Sequence, residues 1–257
     1  TGVQTCALPI YSVDCDISEY GLESPRLMNI KIYICKNTGL PRTEESFRYI
    51  KAKIASSGLR DNALQVVEAD PSKYEYPALD ACWSDSQNSE FYGLYLHCKG
   101  SSKASETDFN NGIAWLDYML YGLIDNYELC LEHMGKGADL VGSMWYRHFK
   151  GNCFWFKSTY IKNLIRPNAL DTSNRYIAEY WCSQAYWFNP EMRLPRIKNL
   201  FYMPIDKDSD FLELKNKGYK ADINHRNSCQ DLSGVVAKND YSVFDELVIT
   251  KDRKSTR

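Results

Sequence analysis

The most regular stretch of the chain is Asn29–Lys36, where Ile30, Ile32 and Ile34 alternate with Lys31, Tyr33 and Cys35, and this period of two predicts the first strand of a sheet. Thr43 to Ile54 changes to helical spacing through Phe47, Ile50 and Ile54. Thr43 stands as the expected N-cap and Gly58 as the stop. Leu64–Glu68 then predicts a second strand, Pro77–Ser86 a short helix through Leu79, Cys82 and Trp83, and Phe91–His97 a third strand. One long helix is expected from about Asn110 to Met134, its apolar stripe carried by Trp115, Tyr118, Met119, Leu123, Tyr127 and Cys130. Further strands are expected at Leu140–Trp145, Asn152–Phe156 and Lys198–Met203, with helices from Ser158, over Asn174–Tyr186 and at Val243–Ile249.

Strands alternating with helices imply an α/β fold, a mostly parallel sheet flanked by helices and joined by right-handed crossovers. We take 28–205 as a single domain, 11–27 as a lead-in and 206–251 as an appendage whose pattern weakens into charged, Gly- and Asn-containing text. The two ends are of another kind. Residues 1–10 (TGVQTCALPI) and 252–257 (DRKSTR) read as translated sequencing adapters, so that 11–251 is expected to be a gene fragment.

The 257 residues are 25 % charged and 44 % hydrophobic, and no apolar run approaches the roughly 18 residues that cross a membrane as a helix. Asp252, Arg253, Lys254 and Arg257 make the last segment net +2, so without the two ends the charge falls from −2 to −4. That balance argues against nucleic acid as a partner, because phosphate backbones demand a basic surface. With Cys6 set aside in the first segment, cysteines 15, 35, 82, 98, 130, 153, 182 and 229 are scattered singly, several in apolar runs, which points to reduced thiols and a cytoplasmic setting. Histidines 97, 133, 148 and 225 lie far apart, and no metal site follows from their spacing.

Chemistry is expected outside the carboxyl ends of the strands. His97-Cys98-Lys99-Gly100-Ser101-Ser102-Lys103 follows the third predicted strand, and its lysines, hydroxyls and glycine have the composition of an anion pocket. A solvated loop with ordinary lysines has the same composition. In His148–Phe156, Phe154 and Phe156 suit a core, leaving only one of His148, Asn152 or Trp155 to meet a ligand. Arg175 and Glu179 stand one helical turn apart, where an ion pair is the plain alternative to a site.

YLHCKG, WLDYM, DLVGSMW, HFKGNCFWFKSTYI and RYIAEYW, in that order over about 95–183, resemble a family of small glycosyltransferase-like proteins of bacteria and large viruses. That family carries H-T-K-G, W-x-x-Y-M, H-x-x-G-N-F-W-W and A-E-x-W elements. Cys98 departs from the threonine, Cys153-Phe154 from Phe-Trp, and no Asp-x-Asp follows a strand. The resemblance implies a GT-A-like, Rossmann-like fold that moves a sugar from a nucleotide-sugar donor to a glycan or lipid-linked acceptor in polysaccharide or glycoconjugate synthesis. A non-catalytic glycan- or nucleotide-binding module on the same fold is the alternative. On this reading His97, Lys99, Gly100, Ser101 and Lys103 face the donor phosphates and Glu179 is the base. Trp115, His148, Gly151, Asn152, Trp155, Arg175 and Trp181 contact substrate, and the developing phosphate charge is met either by a divalent metal, the Mn or Mg that many such enzymes use, or by lysine in its place.

The end segments give the first prediction. Deleting 1–10 and 252–257 together is expected to leave thermal unfolding unchanged, and a drop of several degrees would show that these residues pack.

Overall fold

The computed structural model describes residues 29–59, 63–143, 145–146, 148–183, 195–200 and 230–231. Strand β1 (Ile30–Asn37) leads to helix α1 (Thr43–Ser57), β2 (Leu64–Ala69), α2 (Tyr76–Ser86) and β3 (Tyr92–His97). Then follow α3 (Glu106–Leu120), α4 (Tyr127–Gly135), β4 (Leu140–Gly142), the short strands β5 (Trp145–Tyr146) and β6 (His148–Phe149), and β7 (Phe154–Lys157). Helices α5 (Ser158–Ile161) and α6 (Arg175–Tyr180) precede β8 (Ile197–Asn199) and β9 (Gln230–Asp231).

Seven strands form one sheet in the order β2-β1-β3-β7-β4-β8-β9, and β5 pairs with β6 alone. The sheet is mixed, which corrects the expectation of a mostly parallel one. β1 pairs in parallel with β2 and β3, and β4 with β8, whereas β7 is antiparallel to both β3 and β4, and β9 to β8. Residues 143–153, which join β4 to β7, are too few for a helical crossover, so the chain must return beside β4 in the opposite direction. Through β9 the sheet also reaches into 206–251, so that part of the expected appendage belongs to the fold. The ends 1–10 and 252–257, the lead-in and the helix expected at 243–249 lie outside the described residues.

Helices cover both faces of the sheet, which explains why β1 buries both halves of its alternation. Ile32, Ile34, Leu94, Leu96, Val141 and Trp155 pack with α1, α3 and α4 on one face. Tyr33, Cys35, Tyr95, Leu140, Phe154 and Phe156 pack with α2, α5 and Trp181 on the other. The single long helix expected over 110–134 is broken: α3 runs into a π-helical turn at Tyr121–Asp125, and Asn126 turns out of helical geometry before α4. Side chains meet the carbonyls of that turn. Trp155 Nε1 donates to Leu123 O at 2.8 Å, Asn126 Nδ2 to Tyr121 O at 2.8 Å and Cys130 Sγ to Gly122 O at 3.5 Å. Gly58 ends α1 in the left-handed conformation as expected. Thr43 does not cap the helix; its hydroxyl donates to Asn37 O at 2.6 Å and ties α1 to the end of β1.

Gly93 on β3 leaves room for the Phe156 ring of the neighbouring strand, and a Cβ there would stand far inside van der Waals contact with the ring's Cζ. Gly93→Ala is therefore expected to destabilise the fold by about 1–3 kcal/mol, the usual effect of overpacking. Urea denaturation measures it, and an unchanged midpoint would contradict this packing.

Candidate functional site

The site begins with the direction of three connections. Those leaving β1 and β3 pass to α1 and α3 on one face, while the one leaving β2 passes to α2 on the other. The diverging chains open a crevice at the carboxyl ends of the strands, where open α/β sheets bind ligands. A cavity of about 440 Å³ lies there. It is lined by Asn37 and Leu40 after β1, Pro71, Tyr74 and Glu75 after β2, and His97–Lys103 after β3. Asp108, Gly112 and Trp115 of α3 and Arg175 and Glu179 of α6 complete the wall.

The loop after β3 is held against α1 and α3 by its backbone. Arg42 N donates to Ser101 O at 3.0 Å, Ser46 Oγ to Lys99 O at 3.0 Å, and Lys103 N closes a turn on Gly100 O at 2.9 Å. Gly100 has φ +78° and packs on Gly112, whose Cβ, if it had one, would stand 2.9 Å from Gly100 Cα. The glycine therefore serves the approach of loop to helix as well as any approach of ligand to loop. Ser101 is buried and directs its hydroxyl hydrogen to Cys98 O at 2.8 Å, which makes it part of the turn. Lys99 remains on the cavity wall with Nζ 3.8 Å from the centre of the Trp115 ring, a cation–π arrangement that spreads the ammonium over an aromatic face.

Glu75 is the residue that sequence reasoning missed. Asp70 accepts from Ser72 N at 2.8 Å and starts a tight turn after β2. Tyr74 follows with φ 50°, its carbonyl held by Asn37 Nδ2 at 2.9 Å, and the turn delivers Glu75 to the cavity. Glu75 Oε2 accepts from Tyr95 OH at 2.8 Å and from Asn152 Nδ2, and Oε1 lies 3.7 Å from His97 Nδ1. The other ring nitrogen of His97, Nε2, bonds to Gly151 O. Asp70-Pro71 at a strand end was the available cue, because the rule that pointed to the loop after β3 applies equally to the loop after β2.

Of the residues expected from the sequence, His97, Lys99, Gly100, Ser101, Lys103, Trp115, Arg175 and Glu179 all line the cavity. Gly151 and Asn152 stand behind it as partners of His97 and Glu75. His148 reaches it through Glu179, with Nε2 3.7 Å from Oε2. The ion pair of Arg175 with Glu179, the plain alternative to a site, does not form; the guanidinium stacks on Tyr176 instead, 4.8 Å from its centre. Trp155 and Trp181 are corrections. Both are buried core, with their indole N–H groups donated to Leu123 O and Ile165 O, and offer no face to a ligand. Among the described residues no three His, Cys, Asp or Glu side chains converge to hold a metal ion, and Glu75 is engaged by Tyr95 and Asn152.

Burial holds the Glu179 carboxyl above the ordinary carboxylate range, and the charge of Glu75 adds to this, against Lys99 and Arg175, which lower it. Burial pushes the His97 imidazole down, with Lys99 acting in the same sense, while Glu75 and the bond to Gly151 oppose it.

The model of a family described as a domain of unknown function (DUF8361) matches residues 32–201, and the chain belongs to that family. No curated protein and no solved structure matches it.

The direction of the Glu179 shift fixes a pH dependence. Its folded value lies above the unfolded one, so the stability linked to its proton is present at low pH and lost as pH rises through the folded value. Glu179→Gln, which has no proton to lose, is expected to melt above the unsubstituted protein at pH 8 and to lose that advantage by pH 4. Scanning calorimetry at the two values decides it; equal differences at both would contradict the burial of an ionised Glu179.

Proposed function

We propose that the protein is a glycosyltransferase of GT-A-like fold that moves a sugar from a nucleotide-sugar donor to a hydroxyl of a glycan or lipid-linked acceptor. The observation that carries this reading is the meeting, in one crevice at the strand ends, of Lys99, Lys103 and Arg175 with the carboxylate of Glu179. Cations beside a half-buried carboxylate suit transfer from a diphosphate leaving group. The sequence motifs that resemble the glycosyltransferase-like family supply Lys99, Arg175 and Glu179, and α/β layering with the site at the strand ends agrees with the fold implied there. No helix among the described residues is long and apolar enough to cross a membrane.

In the mechanism, Lys99 and Lys103 hold the diphosphate as compact point charges. The acceptor oxygen forms its bond to the anomeric carbon as the bond from that carbon to the diphosphate breaks, and the electron pair leaves on the β-phosphate. Lysine charge compensates the charge developing there. The acceptor proton passes to Glu179, whose raised affinity for protons brings it nearer to the working pH of a general base. Trp115 supplies an aromatic wall for the base or sugar.

Lys99→Ala is expected to weaken nucleotide-sugar binding on the order of 30-fold, about 2 kcal/mol for one charge-assisted contact, while the fold survives. Calorimetric titration with UDP-, GDP-, CMP- and dTDP-sugars measures it, and unchanged affinity would remove Lys99 from the site. Glu179→Gln is expected to retain donor binding and lose transfer by roughly 100- to 10,000-fold. Donor binding with no transfer in the unsubstituted protein would instead support a non-catalytic module.

A further inference from the structure

The charged groups on the cavity wall cancel. Lys99, Lys103 and Arg175 stand against Glu75, Asp108 and Glu179, so with a neutral His97 the lining has no net charge to offer a diphosphate. Glu75 and His97 are also complementary in only one state. The Gly151 carbonyl accepts and cannot donate, so Nε2 carries the hydrogen of a neutral imidazole, leaving the bare lone pair of Nδ1 opposite Glu75 Oε1 at 3.7 Å. One added proton removes that conflict and gives the wall a net positive charge.

From this geometry we infer that Glu75 and His97 form a carboxylate–imidazole pair that takes up one proton when the diphosphate of a ligand enters the cleft, so that anion binding and protonation of the pair are linked. The inference rests on the donor reading above and adds a functional residue, Glu75, to it. Every other titratable group facing the pair keeps one state or acts on it as a charge. Cys35 on β1, Tyr95 on β3, Tyr76 on α2, Cys153 before β7 and Cys182 after α6 are held neutral at physiological pH by burial, Cys153 being pushed up to about 12. Lys99 and Glu179 remain as the charges acting on the pair. In the free protein, burial and Lys99 disfavour the charged imidazole. A bound diphosphate reverses that balance, and a proton is drawn in with it.

Linkage sets the sign. Because the bound state holds the proton more tightly than the free state, affinity rises as pH falls through the interval between the two titrations and is flat outside it. Glu75→Gln separates this from a structural role. The amide oxygen still accepts from Tyr95 and Asn152, and the NH2 group donates to His97 Nδ1, so shape and hydrogen bonds survive while one negative charge is gone.

The test measures UDP binding to the unsubstituted protein and to Glu75→Gln at pH 5.5 and 8.5, with pyrophosphate as a second probe. Ionisation of the ligand is common to both proteins and cancels in their ratio. Glu75→Gln is expected to bind about tenfold more tightly at pH 8.5, the effect of one charge removed nearby, and about equally at pH 5.5. The same ratio at both values, or a full pH dependence persisting in Glu75→Gln, would assign the proton elsewhere, for instance to Glu179, and overturn the pair. Nitrogen-resolved NMR of the His97 ring reads the pair without any ligand: its titration is expected to move to lower pH in Glu75→Gln, and an unmoved midpoint would overturn the inference. If neither protein binds UDP or pyrophosphate, the donor reading and the linked uptake both fall, while the His97 titration still decides the pairing itself.

Discussion

The parallel pairing of β1 with β2 on one side and β3 on the other sets the level at which everything else in the site stands. Asn37 lies beside Ala69 and Cys35 beside His97, so the three strands end within a residue or two of one another. A slip of one residue would turn Ile32 and Ile34 from one buried face to the other and carry His97 away from Glu75. Burial on both faces makes that slip costly. The core that stabilises the sheet is therefore also what aligns the cavity wall.

On that platform the loops are fixed mostly by backbone. Gly100 resting on Gly112, and the carbonyls of Lys99 and Ser101 taken by α1, hold the lysine loop before any ligand arrives. Preorganised charge is worth more than charge that must be ordered on binding. Beneath it the polar chain from Tyr95 and Asn152 through Glu75 to His97 and Gly151 joins three separate stretches of sequence. Asn152 takes positive φ to reach Glu75, a conformation that only a defined turn would impose.

Much of this was legible in the chain because the physics was local. Alternation placed β1 and β3, helical spacing placed α1 and α2, and the strand-end rule located the loop from His97 to Lys103. What depended on distant partners was not legible. Trp155 and Trp181 read as ligand faces because nothing local distinguishes an indole that caps a π-turn carbonyl from one that stacks on a sugar. The break at Tyr121–Asn126 follows from Trp155, Asn126 and Cys130 taking carbonyls, and only one of those lies within the turn itself. The reversal of β7 depended on the short return from β4, and Glu75 on a turn after β2 whose charged text looks like any solvent-facing loop.

The central claim is that the crevice at the ends of β1, β2 and β3 receives the diphosphate of a nucleotide sugar. Amide-resolved NMR during titration with the nucleotide-sugar panel tests it most directly. The account predicts that the largest shifts fall on 97–103, 71–75 and 112–115, the three stretches that converge on the cavity. Shifts concentrated elsewhere, or no saturable shift with any nucleotide sugar, would contradict it.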